Sequence, residues 1–144
     1  MSNERMSSAA VHVPDIGDLV LGGVNSMGDL RSAEILQTII LGGNPVLVWH
    51  EIAPMNEPKI EPMALYHDEA VFAKGFNGNT EILRITSHLI GQWTLIAFDN
   101  LPTQWHPHSM CDYRGRLYIC SVFYYLHYQY CLILYLITLI FLNF

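Results

Sequence analysis

The sequence predicts an all-β fold, and three observations carry that prediction. Short runs of β-branched and aromatic residues recur along the chain, with turn signals about every eight to twelve residues. Proline gathers in connections, at Pro54, Pro58 and Pro62 and again at Pro102 and Pro107, where no ladder N–H is needed. The third observation is internal repetition. Val46-Leu-Val-Trp49-His-Glu-Ile-Ala-Pro-Met55-Asn-Glu-Pro58 is echoed by Ile90-Gly-Gln-Trp93-Thr-Leu-Ile-Ala97 and then Leu101-Pro-Thr-Gln104, with the tryptophans 44 positions apart. Self-similarity at a period of about 20 to 50 residues marks an architecture in which one unit cannot bury its own apolar face.

The elements follow in order. Residues 1–15 are polar, include Pro14, and are expected to be disordered. Leu19-Val-Leu21 is a short apolar run closed by Gly22-Gly23, as for a buried strand followed by a position that needs glycine. Val24 to Leu30, rich in Asn, Ser and Gly, reads as a loop. Arg31 to Ile40 leads into a second strand, Leu41 to Pro45 turns, and Val46 to Ile52 is the strand bearing Trp49. The proline connection follows, and the cycle restarts.

Met63 to His67 and Ala70 to Ala73 are predicted strands on either side of a tight turn, the second ending at Lys74-Gly75. Phe76 to Thr80 is a loop whose Asn-Gly step favours positive φ. Ile82 to Thr86 and Gln92 to Ala97 complete the unit, and His108 to Tyr113 with Arg116 to Cys120 begin a third. Period-2 alternation puts Leu19 with Leu21, and Val71 with Ala73, on one side of a sheet each. Four strands per unit, the last bearing Trp and leading into a Pro link, is the layout of a β-propeller blade.

Composition narrows the function classes. Net charge is -6 with only seven Lys and Arg, so no basic patch exists to neutralise phosphates and nucleic-acid binding is not expected. The N-terminus lacks the apolar run of a signal peptide, and three cysteines do not make a disulfide framework. A reducing, cytoplasmic compartment fits. After Arg116 no side chain is charged, and five of the eight tyrosines lie between Val122 and Phe144. This tail of 23 residues is long enough to span a bilayer as a helix. It has no basic flank after it, and it starts where a strand should lead into Gly-Gly. Translation past an exon boundary accounts for it better than a membrane anchor.

These features together resemble a kelch repeat, most of all that of the BTB–kelch proteins. A glycine doublet closes the second strand, a Trp opens the fourth, and the link between blades is like Ala-Pro-Met-x-x-Pro-Arg. Gly22, Gly23 and Trp49 mark the first unit here, Gly75 and Trp93 the second, and Ile52 to Lys59 is the link. The resemblance covers about residues 17 to 121. It implies a partial propeller over residues 16–121, two and a fraction four-stranded antiparallel blades, followed by an apolar tail over 122–144 that a helix would suit. The opening strand of the first blade is expected to be missing or degenerate. The resemblance further implies a protein-binding module, like the substrate-recognition propeller of a cullin-based ubiquitin ligase adaptor lacking its BTB and BACK domains. Actin or cytoskeletal binding is the alternative, and a small membrane-anchored protein is a third reading that requires a genuine tail. The residues that would contact a protein partner are Asn25, Ser26, Asn77, Asn79, Gln104 and His106.

Catalysis is not expected, and neither is a cofactor. His106-Pro-His108 with Cys111 has no second ligand cluster to complete a zinc site. Gly23 to Asp29 superficially suggests a phosphate loop, but Asp29 stands where Lys is required. The adjacent carboxylates Asp68 and Glu69 point apart on a turn and cannot share a proton task. Galactose oxidase has the same fold class, but its copper ligands have no counterpart cluster in this sequence.

Overall fold

The computed structural model describes residues 1, 3–76, 79–86, 89–96 and 106–122. Every regular element among them is a β-strand. The first four-stranded sheet contains β1 (Ala9–Val13), β2 (Gly17–Leu21), β5 (Ala33–Leu41) and β6 (Asn44–Ile52) in the order β1-β2-β5-β6. A two-residue ladder, β3 (Val24–Asn25) with β4 (Gly28–Asp29), forms a small hairpin inside the β2–β5 connection. The second sheet contains β7 (Met63–His67), β8 (Ala70–Lys74), β9 (Thr80–Thr86) and β10 (Leu89–Ile96), also in sequential order. β11 (His106–Asp112) and β12 (Leu117–Val122) pair as a third, two-stranded sheet. All pairings are antiparallel.

The two larger sheets are blade-like and stack face to face. Leu19 and Leu21 pair with Ile35 and Ala33 across β2 and β5, so these four side chains share one face. That face meets Val71, Ala73, Leu83, Ile85 and Trp93 of the second sheet, with Met55 of the link between them. The alternation predicted for Leu19/Leu21 and Val71/Ala73 is thus the contact between the sheets. Each buried Val, Leu or Ile side chain among them contributes about 1.5–3 kcal/mol. The opposite face of the second sheet, Ala70 and Phe72, packs on Leu117 and Ile119 of β12. Strands β1, β7 and β11, the first of each unit, lie beside one another.

Two sequence expectations are corrected. Residues 1–15 are not a disordered lead: Ala9 to Val13 form β1, paired with β2 through five successive residue pairs. The opening strand of the first unit is therefore present. Its alternation puts Ala9, Val11 and Val13 on the inner face, and small or β-branched side chains fit that gap. Pro45 belongs to β6 rather than to the turn, paired with Ile40. It is tolerated because β6 is the edge strand, where a missing N–H breaks no ladder. Gly42 and Gly43, both at positive φ, make the two-residue turn instead.

The tail expected over 122–144 falls outside the described residues, apart from Val122, which closes β12. No helix among the described residues is long and apolar enough to cross a membrane.

Candidate functional site

The connections leaving the second strands and the link between the sheets converge on one end of the stack. Backbone hydrogen bonds join them. Met6 and Val24 exchange N–H···O bonds at 2.9 Å, and the Gly23 N–H donates to Lys59 O at 2.8 Å. Met55 N–H reaches Arg31 O, Lys59 N–H reaches Leu30 O, and Phe76 N–H donates to Ile60 O. Four segments, residues 3–6, 22–32, 53–62 and 75–76, are therefore held as one loop surface. Glycine is required at its centre: Gly23 has φ +90, and a Cβ there would meet Met6 O at 2.4 Å.

Beneath this surface lie two buried ion pairs at equivalent places. Glu34 is the second residue of β5 and Glu81 the second of β9. Glu34 receives Arg5 Nη2 at 2.6 Å and the Asn3 N–H at 3.1 Å. Arg5 also donates to the carbonyls of Gly22 and Ser32. Glu81 receives Lys59 Nζ at 3.0 Å and the N–H groups of Asn56 and Glu57 at 2.7 and 3.0 Å. Both carboxylates and both cations are shielded from water. Such pairs are supported by further hydrogen bonds, here the Asn3, Asn56 and Glu57 N–H groups on the carboxylates and the Gly22 and Ser32 carbonyls on Arg5. Their net stabilisation is small, but losing one member is costly.

Burial raises the Glu81 carboxyl, yet the N–H groups of Asn56 and Glu57, the Asn56 amide and the Lys59 ammonium outweigh it. Its pKa lies below the ordinary value of 4.5. Glu57 is also held below 4.5, chiefly by the Asn79 N–H. Burial, aided by the nearby Lys59, pushes the Lys74 ammonium below its usual 10.5.

The predicted contact residues divide. Asn25 and Ser26 sit on the β3–β4 hairpin at this end, and Asn25 Oδ1 accepts the Met27 N–H at 2.9 Å in an Asx turn. Asn79 is turned toward the scaffold: its N–H and Nδ2 donate to Glu57, and its carbonyl accepts from Lys59 Nζ at 2.9 Å. His106 opens β11. Asn77 and Gln104 lie outside the described residues.

Among the repeat markers, Trp93 is buried, and its Nε1–H donates to Ala53 O at 2.9 Å. Trp49 is half-buried on β6, opposite Leu36 as Trp93 is opposite Leu83. Gly22 and Gly23 are buried at the head of the loop surface, and Gly75 precedes Phe76 on the same surface.

Sequence reasoning missed the ion pairs. The signal was present: Met1-Ser-Asn-Glu-Arg5 precedes β1 by the same interval at which Met55-Asn-Glu-Pro-Lys59 precedes β7. Without the proline of the link, the first copy read as a polar terminus.

At the opposite end of the stack, His67 Nδ1 meets Asp112 Oδ2 and ties β7 to β11. Among the described residues, no group of three His, Cys, Asp or Glu side chains could hold a metal ion. No protein-family model matches the chain, and no curated protein matches it.

Proposed function

We propose that the chain is a protein-binding repeat module of the kelch type, whose loop surface takes a partner protein or substrate peptide. One observation carries the reading: the loops of two stacked, blade-like sheets share a single end and are fixed there by the equivalent pairs Arg5–Glu34 and Lys59–Glu81. Binding loops on a rigid scaffold lose little entropy when a partner docks. The adjacency of β1, β7 and β11 supports a propeller-like arrangement, in which first strands gather about one axis. The role that goes with this reading is substrate selection for a cullin-based ubiquitin ligase; cytoskeletal binding is the competing role within it.

The test is partner retention by the immobilised full chain. Ser26→Trp and Met27→Arg on the β3–β4 hairpin are expected to reduce retention at least about tenfold, as for residues central to an interface. Leu41→Ser at the opposite end is expected to leave it unchanged. Equal losses from both ends, or no retained protein, would refute the reading. Co-sedimentation of the chain with filamentous actin, abolished by the same hairpin changes, would assign the module to the cytoskeletal role.

A further inference from the structure

We infer that the loop surface is built for a cationic segment carrying apolar side chains; the inference rests on the binding-module reading and names the chemistry of its partner. The first ground is a row of exposed apolar side chains across this end. Met6 is 69% exposed beside Val24, Ile60 and Phe76 are joined by a backbone bond, and Met27 at the hairpin tip is 90% exposed. Methionine is flexible and polarizable, and suits a surface that must fit irregular apolar partners. Exposed apolar side chains that gather and are rimmed by polar residues mark interaction sites.

The second ground is where the charges went. The chain has only seven Lys and Arg. Four of them stand at this end: the side chains of Arg5, Lys59 and Lys74 are buried, and Arg31 is exposed. The scaffold has thus taken three of these four cations inside, where two of them neutralise Glu34 and Glu81. The carboxylates left around the apolar row, Glu4, Asp29 and Glu61, face water with Arg31 as the exposed cation among them. An anionic rim about an apolar row attracts Lys or Arg flanking an apolar anchor and repels acidic peptides. Burial of Arg5, Lys59 and Lys74 fixes this polarity, because none of the three can swing out to the rim without breaking the fold, and Arg31 offsets only one of the three rim carboxylates.

The test uses the immobilised full chain and three nine-residue probes of Leu-X-Ser repeats, with X as Arg, Gln or Glu. The Arg probe is expected to bind at least about tenfold more tightly than the Gln probe at about 0.1 M salt. The difference should shrink at about 1 M, where screening shortens from about 10 to about 3 Å. Asp29→Lys with Glu61→Lys should abolish the preference, and Met27→Ser with Phe76→Ser should weaken all probes. Leu41→Ser with Leu47→Ser, on the β5–β6 hairpin, should change nothing. Each variant is checked for an unaltered thermal transition, and Asp29→Asn with Glu61→Gln serves as a milder pair if the Lys pair fails to fold.

Equal or tighter binding of the Gln or Glu probe at the loop end would overturn the charge inference while leaving the module reading intact. Binding that only the β5–β6 hairpin changes abolish would overturn it too. So would no binding of any probe, in which case the module reading still stands or falls on partner retention.

Discussion

Lys59 Nζ sits 3.0 Å from Glu81 Oε1, and neither side chain has any access to water. Lys59 belongs to the link between the sheets and Glu81 to β9, so this pair fastens the connection to the sheet that follows it. Arg5 does the same for the N-terminal segment and Glu34 of β5.

Truncating one member should therefore cost more than replacing both. Glu81→Leu leaves a buried ammonium unpaired and is expected to lower stability by about 3–5 kcal/mol, whereas Lys59→Met with Glu81→Leu should recover much of that loss. Urea midpoints of the two single variants and the double variant check this. A double variant no better than Glu81→Leu alone would mean that the hydrogen bonds from Asn56 and Glu57, rather than the ion pair, carry the cost.

Acid should unfasten the same link. The folded-state pKa values of Glu57 and Glu81 lie below 4.5, so their contribution is complete above that value. It is lost as pH falls further, through the depressed folded values, because the unfolded chain takes up protons first. Stability followed by urea unfolding from about pH 7 to about pH 3 should fall along this course, and Glu81→Gln should flatten the descent.

Two glycines separate backbone strain from steric collision. Gly42 has φ +59 and open space around it, so Gly42→Ala should cost about 1 kcal/mol from the left-handed backbone alone. Gly23→Ala adds a collision with Met6 O and should cost more, about 2–4 kcal/mol. Hydrogen exchange at the Met6 and Val24 amides should accelerate in the second variant and not in the first.

The repeated tryptophans should behave differently. Trp93→Phe removes a donor from Ala53 O within a packed core and is expected to cost about 2–4 kcal/mol. Trp49→Phe, at a half-buried edge position, should cost about 1 kcal/mol or less. Fluorescence of the two single-Trp93 and single-Trp49 forms, each with Trp105 replaced by Phe, should be bluer for Trp93.

Strand identity was largely legible because it rests on local signals. Apolar alternation between glycine and proline marks predicted β2, β7 and β8 to within two residues of where the structure has them. Extended strands were missed where the signal was weak. β10 starts at Leu89 rather than Gln92, since Gly91 lies in a register shift between Ile90 and Trp93 that the pattern does not announce. Asn25 and Ser26 lie on the β3–β4 hairpin, and turn formers of this kind are read from composition. Asn79 shows the limit of that reading: its side chain is committed to Glu57, a partner 22 residues away.

By itself the sequence determined the β class, the four-stranded period and the positions of the two tryptophans, because alternation, turn chemistry and repetition are properties of neighbouring residues. Only the tertiary structure decided which charges are buried, and therefore what the loop surface presents. Arg5 and Glu34 are 29 positions apart, and Lys59 and Glu81 are 22 apart. Each pairing exists because stacking the sheets removes both groups from water together, and an unpaired charge there would be too costly to keep. The same burial that stabilises the link takes three of the loop end's four cations away from water, and no linear pattern of charges reveals that.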